Sequence, residues 1–378
     1  MVEIPHPDLA GGRLTIDLGA LVSNWKLLAK NTGDAECGAV VKANAYGCGI
    51  EPVVETLNKD GCKTFFVAVA EEGKRVKRVA PESRCFVLNG LFPEAAPHYE
   101  EAGLIPILGS LPEVEAWANY AKQKDAALPC AIHMDSGMTR LGMSKRELER
   151  LIASDHLMDH IEPQLFMTHY ACADDIGHPK TETQREAFIQ ASYLLPGAAR
   201  SAANSAAILQ ADDHSFDLVR PGIAIYGGEA LNDVPNPMKP VVTLEGRIIQ
   251  IRSVKAGETV GYGSAETIKK DSRVAYVSVG YADGYHRGSS NMGTAMRLIA
   301  PATKAAFGGT IINGVGRISM DISAFDVSGI DENEITAGDW IELFGPTIPV
   351  DDVARAAGTI GYELLTGLGS RYSRTYLK

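Results

Sequence analysis

At 378 residues the chain is long enough for one large domain and a second, smaller one. Its composition, 45% hydrophobic and 22% charged, is that of a globular protein without an apolar run of membrane-spanning length. The net charge of −11 disfavours nucleic acid or an anionic membrane surface as the main partner. The six cysteines are scattered with no Cys-x-x-Cys pair, which in so long a chain suggests free thiols in a reducing cytoplasm. The nine histidines form no His-x-x-x-His or His-Glu-x-x-His group, so no metal site is expected and any catalysis calls for an organic cofactor or none. The opening Met-Val-Glu-Ile-Pro-His-Pro lacks a basic stretch followed by an apolar core, so no signal peptide is expected.

Arg13-Leu-Thr-Ile-Asp-Leu alternates like a short strand, and 21–30 has the character of a first helix. From Glu36 the chain settles into a regular beat. Short apolar runs fall at 36–42, 64–69, 84–89, 104–108, 129–134, 163–168, 198–203 and 217–220. Helical stretches lie between most of them, at 52–59, 71–79, 112–122, 145–154 and 181–195. Strand-like runs alternating with helices imply parallel βαβ units, and eight of them are the number that closes a (β/α)8, TIM-like barrel. An open doubly wound sheet would need a Gly-x-Gly-x-x-Gly loop after its first strand, and the stretch from Lys42 to Gly49 does not supply one.

After Gly228 the texture changes. The segment 229–240 carries three prolines and reads as a linker. Beyond it come glycine-punctuated apolar runs with little helix, at 241–254, 273–280, 297–299, 310–312, 322–327 and 340–344. The expected organisation is a barrel domain over 1–238 followed by a C-terminal β-rich domain over 239–378, with residues 1–18 able to pack with the second domain.

In such a barrel, chemistry collects at the carboxyl ends of the strands. The first run ends in Val41-Lys42-Ala-Asn-Ala-Tyr46-Gly-Cys-Gly49, the fifth in Met134-Asp-Ser-Gly-Met-Thr-Arg140, and the sixth in Thr168-His169-Tyr170. The seventh ends in Ala203-Asn204-Ser205-Ala206 and the eighth in Val219-Arg220-Pro-Gly222-Ile223. A lysine, two arginines, a histidine and an Asn-Ser pair thus share one rim. The loops after strands seven and eight commonly hold a phosphate in barrels. There Ser205 offers a hydroxyl, and Gly222 and Ile223 offer backbone N–H groups at a helix start. A rim lysine facing a phosphate site fits pyridoxal phosphate. Each residue also has an ordinary use: Lys42 as a solvated loop lysine, Asn204-Ser205 as a helix N-cap, Arg220 on a surface loop, His169 as a hydrogen-bonded core histidine. It is their arrival together, at strand ends, that carries weight.

On these residues the chain resembles the fold-type III pyridoxal phosphate enzymes and, among them, the alanine racemases. The cofactor-lysine signature Val41-Lys-Ala-Asn-Ala-Tyr-Gly is the most specific match. Asp135-Ser-Gly-Met-x-Arg-Leu-Gly, Thr168-His169, Ala203-Asn-Ser-Ala-Ala and Arg220-Pro-Gly-Ile follow in order. The second domain matches at Gly261-Tyr262-Gly263, Gly280-Tyr-Ala-Asp-Gly-Tyr285, Gly316-Arg-x-x-Met320-Asp321 and Thr359-Ile-x-Tyr362-Glu363. The resemblance implies that Lys42 carries pyridoxal 5'-phosphate and acts as one catalytic base, with Tyr262 from the partner subunit of a homodimer as the other. It implies that Arg220 faces the pyridine nitrogen and that His169 links Arg220 to Tyr262. Tyr46, Asn204, Ser205, Gly222, Ile223 and Tyr362 then line the cofactor, most of them at its phosphate. Arg140 contacts the cofactor's phenolic oxygen and the substrate carboxylate, and Met320 of the partner subunit offers that carboxylate its N–H. The implied activity is the interconversion of L- and D-alanine in the cytoplasm, supplying D-alanine for peptidoglycan or serving alanine breakdown.

Racemisation takes a proton from one face of the substrate and returns one to the other, so two bases must flank it. A lysine (pKa ~10.4) and a tyrosine (~10) are poor bases at neutral pH unless tuned downward, and nearby cations such as Arg220 do this to both. An arginine facing the ring nitrogen leaves that nitrogen unprotonated, which weakens the ring as an electron sink and limits transamination.

The chain departs from the family pattern at four places. His133 stands where a lysine, often carbamylated, is common; an imidazole forms no stable carbamate, so Arg140 must be oriented by another acceptor: neutral His133, a bound anion or a water. Cys48, Ser319 and Gly361 replace the common histidine, cysteine and asparagine and are peripheral to the acid–base pair. Three other readings remain at this point. A broad-specificity racemase would share the scaffold, a non-catalytic pyridoxal phosphate barrel would lack the β domain, and a decarboxylase of the fold type would place an acid where Arg220 stands.

Overall fold

The computed structural model describes residues 5–210, 214–290 and 303–378. They form two compact units. One comprises 22–225 and 229–238; the other comprises the N-terminal residues to Leu21, 226–228 and 239–378. No helix among the described residues is long and apolar enough to cross a membrane.

In the first unit all eight apolar runs become strands. Ala39–Val40, Thr64–Val67, Arg84–Val87, Ile105–Leu108, Leu128–His133, Ile161–Met167 and Ala199–Ser201 pair in that order as a parallel sheet. Leu218–Val219 pairs with Glu36–Cys37, which is separated from Ala39–Val40 only by Gly38. Backbone bonds from Gly38 N to Val219 O (3.0 Å) and Val40 N to Pro221 O (2.9 Å) continue that pairing past the break. On the other side, Asp217 N donates to Arg200 O and Arg220 N to Ala203 O, both at 3.0 Å, so the ring closes as the eightfold alternation predicts. Gly38 is required at the break, because a Cβ there would press on Thr64 O and Val219 O.

Buried on both faces, these strands carry continuous apolar runs, with all four residues of Thr64–Val67 and of Ile105–Leu108 buried. Phe66 stacks on Phe86 at 5.2 Å and Phe166 on Phe188 at 5.0 Å. The helices Ile50–Lys59, Ala70–Val79, Leu111–Gln123, Lys145–Ile152 and Pro179–Ser192 fall where the 3.6-residue periodicity places them. Lys145–Ile152 starts at a capping box, with Ser144 Oγ accepting from Glu147 N and the Glu147 carboxylate accepting from Ser144 N.

The second unit is built on the long strand Val242–Val254. Its first half pairs with Gly12–Asp17 and Trp340–Phe344, and after a register shift between Ile248 and Gln250 its second half pairs with Ser272–Val277. Ser323–Asp326, Thr310–Gly314 and Lys304–Phe307 complete a circuit back to Trp340–Phe344. Gly12–Asp17 lies in this sheet, between Val242–Val254 and the parallel strand Tyr372–Leu377.

Among the elements of this unit that the sequence patterning missed are the strands Lys304–Phe307 and Tyr372–Leu377 and the helices Val350–Ala357 and Gly361–Thr366. Lys-Ala-Ala-Phe has no β-branched residue to mark a strand. Val350–Ala357 is bounded by Pro349 and by Gly358 at φ 74°, punctuation that also fits a β loop. The expected run at 297–299 lies outside the described residues.

Candidate active site

Lys42 follows the first barrel strand immediately, as expected, but the turn that carries it is not an ordinary loop. Ala43, Asn44, Ala45 and Tyr46 all have φ between 50° and 56°, and Gly47 follows at 79°. This is a turn of left-handed helix, closed by Ala45 N to Val41 O and Gly47 N to Ala43 O, each 2.9 Å. For L-residues that conformation costs roughly 1–2 kcal/mol each, so the surroundings must hold it. They do. Asn44 N donates to Glu72 Oε1 at 3.1 Å, Asn44 Oδ1 accepts from Ile50 N at 3.3 Å, and Gly49 N donates to Asn44 O at 2.8 Å. Nothing in the sequence announced this handedness beyond Asn44 and the glycines at 47 and 49.

The turn sends Tyr46 into the interior, where it is buried, beside Gly222. A Cβ on Gly222 would collide with the Tyr46 hydroxyl, so the glycine is what lets the first and eighth strand ends approach. Gly222 N donates to Ser205 Oγ at 2.8 Å and Ala224 N does so at 3.4 Å. Asn204 caps the short helix Ser205–Leu209 by accepting from Ala207 N at 3.1 Å, its commoner use. Ser205, Gly222, Ile223 and Tyr46 therefore form one small cradle, in which Ala224 N–H rather than that of Ile223 is the second donor to Ser205.

Arg220 is 3% exposed, and its guanidinium meets no carboxylate among the described residues. Nη2 donates to Thr168 O at 2.7 Å, Ala202 O at 3.3 Å and His169 Nδ1 at 3.3 Å, and Nη1 donates to Ser201 Oγ. Burial pulls its pKa down to about 10, which still leaves it charged at neutral pH. Because a guanidinium only donates, His169 Nδ1 must accept, and the neutral imidazole carries its proton on Nε2. Burial, then Arg220, Arg140 and Lys42, holds the His169 pKa well below its ordinary value, so the ring is neutral. Gln184, which the sequence reading did not single out, fixes this strand end through Nε2 to His169 O (2.9 Å) and to Ser136 Oγ (3.2 Å).

The Lys42 pKa is lowered. Burial is the main cause, Arg140 adds to it, Glu72 opposes it and Arg220 contributes last. Arg220 is thus a smaller tuner of the lysine than the sequence suggested, and loss of solvent is the larger one. Arg140 is exposed and, among the described residues, makes no hydrogen bond or ion pair. Its loop is shaped by Asp135, whose Oδ1 accepts from Gly137 N (2.8 Å) and Thr139 N (3.0 Å). Burial together with Arg220 and Arg140 pushes the His133 pKa down to about 4. A neutral imidazole gives Arg140 no counter-charge, and no hydrogen bond joins the two.

Tyr262, Met320 and Tyr362 belong to the other unit, and all three are exposed, Tyr262 at 71% and Met320 at 54%. Tyr262 is framed by Gly261 at φ 77° and Gly263 at φ 70°. Met320 O accepts from Ala282 N at 2.9 Å, while its N–H has no partner among the described residues. A Cβ at Gly280 would strike the Met320 carbonyl, which explains that glycine. Arg371 braces the same loop, with Nε on Asp283 at 2.6 Å and Nη1 on Asp321 at 2.8 Å.

The alanine racemase N-terminal domain family matches residues 16–230, and the C-terminal domain family matches 241–376. A biosynthetic alanine racemase of Agrobacterium fabrum is 46% identical over 97% of this chain and 93% of its own length. A catabolic alanine racemase of the same organism is 40% identical over 98% and 93%. Among solved structures, alanine racemase from Bartonella henselae, with covalently bound pyridoxal phosphate, superposes with a TM-score of 0.90 at 38% identity over 97% of this chain and all of that one. The biosynthetic enzyme of Pseudomonas aeruginosa gives 0.88 at 35% identity over 98% of this chain and all of that one. Matched in both halves, and along almost its whole length by relatives of this identity, the chain belongs to the alanine racemase family.

Proposed function

We propose that the chain interconverts L- and D-alanine with pyridoxal 5'-phosphate, and that Lys42 and Tyr262 are the two proton carriers of an active site shared across a homodimer. The observation that carries this reading is the donor set around Lys42. It combines a lysine made less basic by burial and guanidinium groups, a buried Arg220 without an acidic counter-ion among the described residues, and the Ser205–Gly222–Tyr46 cradle. These residues fit pyridoxal phosphate: Lys42 as covalent anchor, Arg220 toward the ring nitrogen, and Tyr46, Asn204, Ser205, Gly222, Ile223 and Tyr362 around it, chiefly at the phosphate. When bound, the cofactor supplies an electron sink that makes the α-proton of an amino acid removable.

The protein's own part is to hold charge and move protons. Lys42 takes or returns a proton on one face through Nζ, which its lowered pKa allows nearer neutral pH. The Tyr262 hydroxyl of the partner subunit does the same on the other face. Arg140 and the Met320 N–H of the partner subunit hold the substrate carboxylate, and both are without a hydrogen-bond partner among the described residues. His169, neutral and protonated on Nε2, passes the orientation of Arg220 toward Tyr262. Exposure of Tyr262 and Met320 on the single chain supports their completing a neighbour's site. The cytoplasm is the proposed location. D-alanine supply for peptidoglycan is the proposed role, supported by the greater identity to the biosynthetic Agrobacterium relative (46%) than to the catabolic one (40%).

The test is complementation between inactive chains. Lys42→Ala and Tyr262→Phe each abolish D-alanine formation as homodimers, whereas a purified heterodimer of the two keeps one intact site and about half the wild-type activity. An inactive heterodimer, or a monomeric active enzyme, would rule the shared site out.

A further inference from the structure

Among the contacts that hold the left-handed turn bearing Lys42, one comes from a side chain on the next helix. Glu72 lies in the first turn of the helix Ala70–Val79, after the second barrel strand. Its Oε1 accepts from Asn44 N at 3.1 Å and its Oε2 from Ala68 N at 3.0 Å. One carboxylate therefore ties the chain leaving the first strand to the chain leaving the second, with both oxygens occupied and both bonds charge-assisted. Asn44 is the middle of the strained stretch and stands two residues from Lys42, so this bond acts on the turn where four consecutive non-glycine residues have positive φ. Charge has a second effect. Lys42 is faced by Arg140 from the loop after the fifth strand, by His169 after the sixth, by Arg220 after the eighth and by Glu72. Glu72 is the negative group in that set.

We propose that Glu72 is a positioning residue of the racemase: it fastens the left-handed turn so that Lys42 meets the cofactor, and it supplies the carboxylate that offsets the cations around Lys42. The proposal rests on Lys42 being the cofactor lysine and a base. Two variants separate the two effects. Glu72→Gln has the same length but one accepting oxygen, and its NH2 opposes the second N–H. Apoenzyme carrying it binds pyridoxal phosphate about tenfold more weakly by equilibrium titration. Without the carboxylate, Lys42 sheds its proton more readily once substrate has freed it from the cofactor, so the acid limb of the kcat profile moves to lower pH by roughly half a unit. Glu72→Asp keeps the charge but is too short to reach both amides, so it weakens cofactor binding while leaving the acid limb in place.

Wild-type cofactor affinity in both variants, or an acid limb that moves equally in both or in neither, would overturn the proposal. Should Glu72→Gln not fold, Glu72→Asp alone decides: wild-type affinity, or a displaced acid limb, counts against it. Borohydride reduction of the wild-type holoenzyme and peptide mapping keep the two readings apart. Label on a lysine other than Lys42 removes the assigned site itself. Label on Lys42 with silent Glu72 variants removes only the role given to Glu72.

Discussion

In the barrel unit Arg220 is 3% exposed and commits its donors to Thr168 O, Ala202 O, Ser201 Oγ and His169 Nδ1. In the β unit Tyr262 is 71% exposed, and its hydroxyl has no hydrogen-bond partner among the described residues. The first group is oriented by its own fold before any ligand arrives. The second is placed by its backbone, between two glycines at positive φ, and left for something else to cover. The proposed two-base reaction accounts for the asymmetry. One base must be anchored with the cofactor, and the other must stand opposite it on a separate element, which a second copy of the chain can supply.

The contrast predicts opposite responses to mild substitutions. Arg220→Lys keeps the charge but has three donors for four acceptors and no planar fork to span them, and leaves at least one buried acceptor without a donor at roughly 1–3 kcal/mol. Urea unfolding of the apoprotein should show a loss of about 2 kcal/mol. Tyr262→Phe, on an exposed side chain, should stay within about 0.5 kcal/mol of the parent while D-alanine formation collapses. If Arg220→Lys unfolds at the parental midpoint, the guanidinium network is not what orders the barrel rim.

A second effect, again confined to the barrel unit, concerns His133. Its ordinary pKa of 6.5 falls to about 4 in the folded state, with burial as the main cause. A lowered histidine pKa means the unfolded chain binds the proton first, so stability is fully present above about pH 6.5 and is lost as pH falls toward 4. His133 alone should cost about 2 kcal/mol between pH 7 and pH 5. His133→Gln should flatten the urea-unfolding profile by that amount over this window. An unchanged slope would show that the imidazole titrates normally. His169 acts in the same direction in both proteins and cancels from the comparison.

How much of this was visible in the sequence differs between the two units for a physical reason. Strands buried on both faces must be short apolar runs, and helices between them must be amphipathic, so the eight barrel strands and their order could be read from hydrophobicity alone. Residues at the ends of those runs were then assigned to one rim by topology, which is how Lys42, His169, Ser205 and Arg220 could be grouped. The β unit has no such repeat. Its strand Lys304–Phe307 lacks β-branched residues, and its helix Val350–Ala357 hides among glycines and prolines. Within the site, what escaped was whatever depends on pairing across sequence distance. Glu72 meets Asn44 across 28 positions and Gln184 meets Ser136 across 48, and neither contact leaves a local pattern. The left-handed turn escaped because it is made of residues that ordinarily avoid it. The sequence did expose the replacement at His133, and the structure adds that the imidazole is neutral and that Arg140 meets no carboxylate among the described residues.

The gentlest test falls on the frame of Tyr262. Gly263 has φ 70° and ψ 17°, a left-handed conformation that an L-residue can enter at a cost of about 1 kcal/mol, while Gly261, at φ 77° and ψ −169°, occupies a region open essentially to glycine. The atoms nearest a Cβ on Gly263 would be the Arg317 guanidinium end, at 3.3 Å or more, so sterics add little. Gly263→Ala should therefore lower stability by about 1 kcal/mol, and Gly263→Asn by less, since asparagine tolerates this conformation better. Tyr262 sits directly before the altered residue, so kcat should fall further in the alanine variant than its stability would suggest, and recover partly in the asparagine variant. Equal kcat in the two variants and the parent would mean that Tyr262 is positioned by what packs over it rather than by its own backbone, which would move the preorganisation of this half of the site from the chain to its partner.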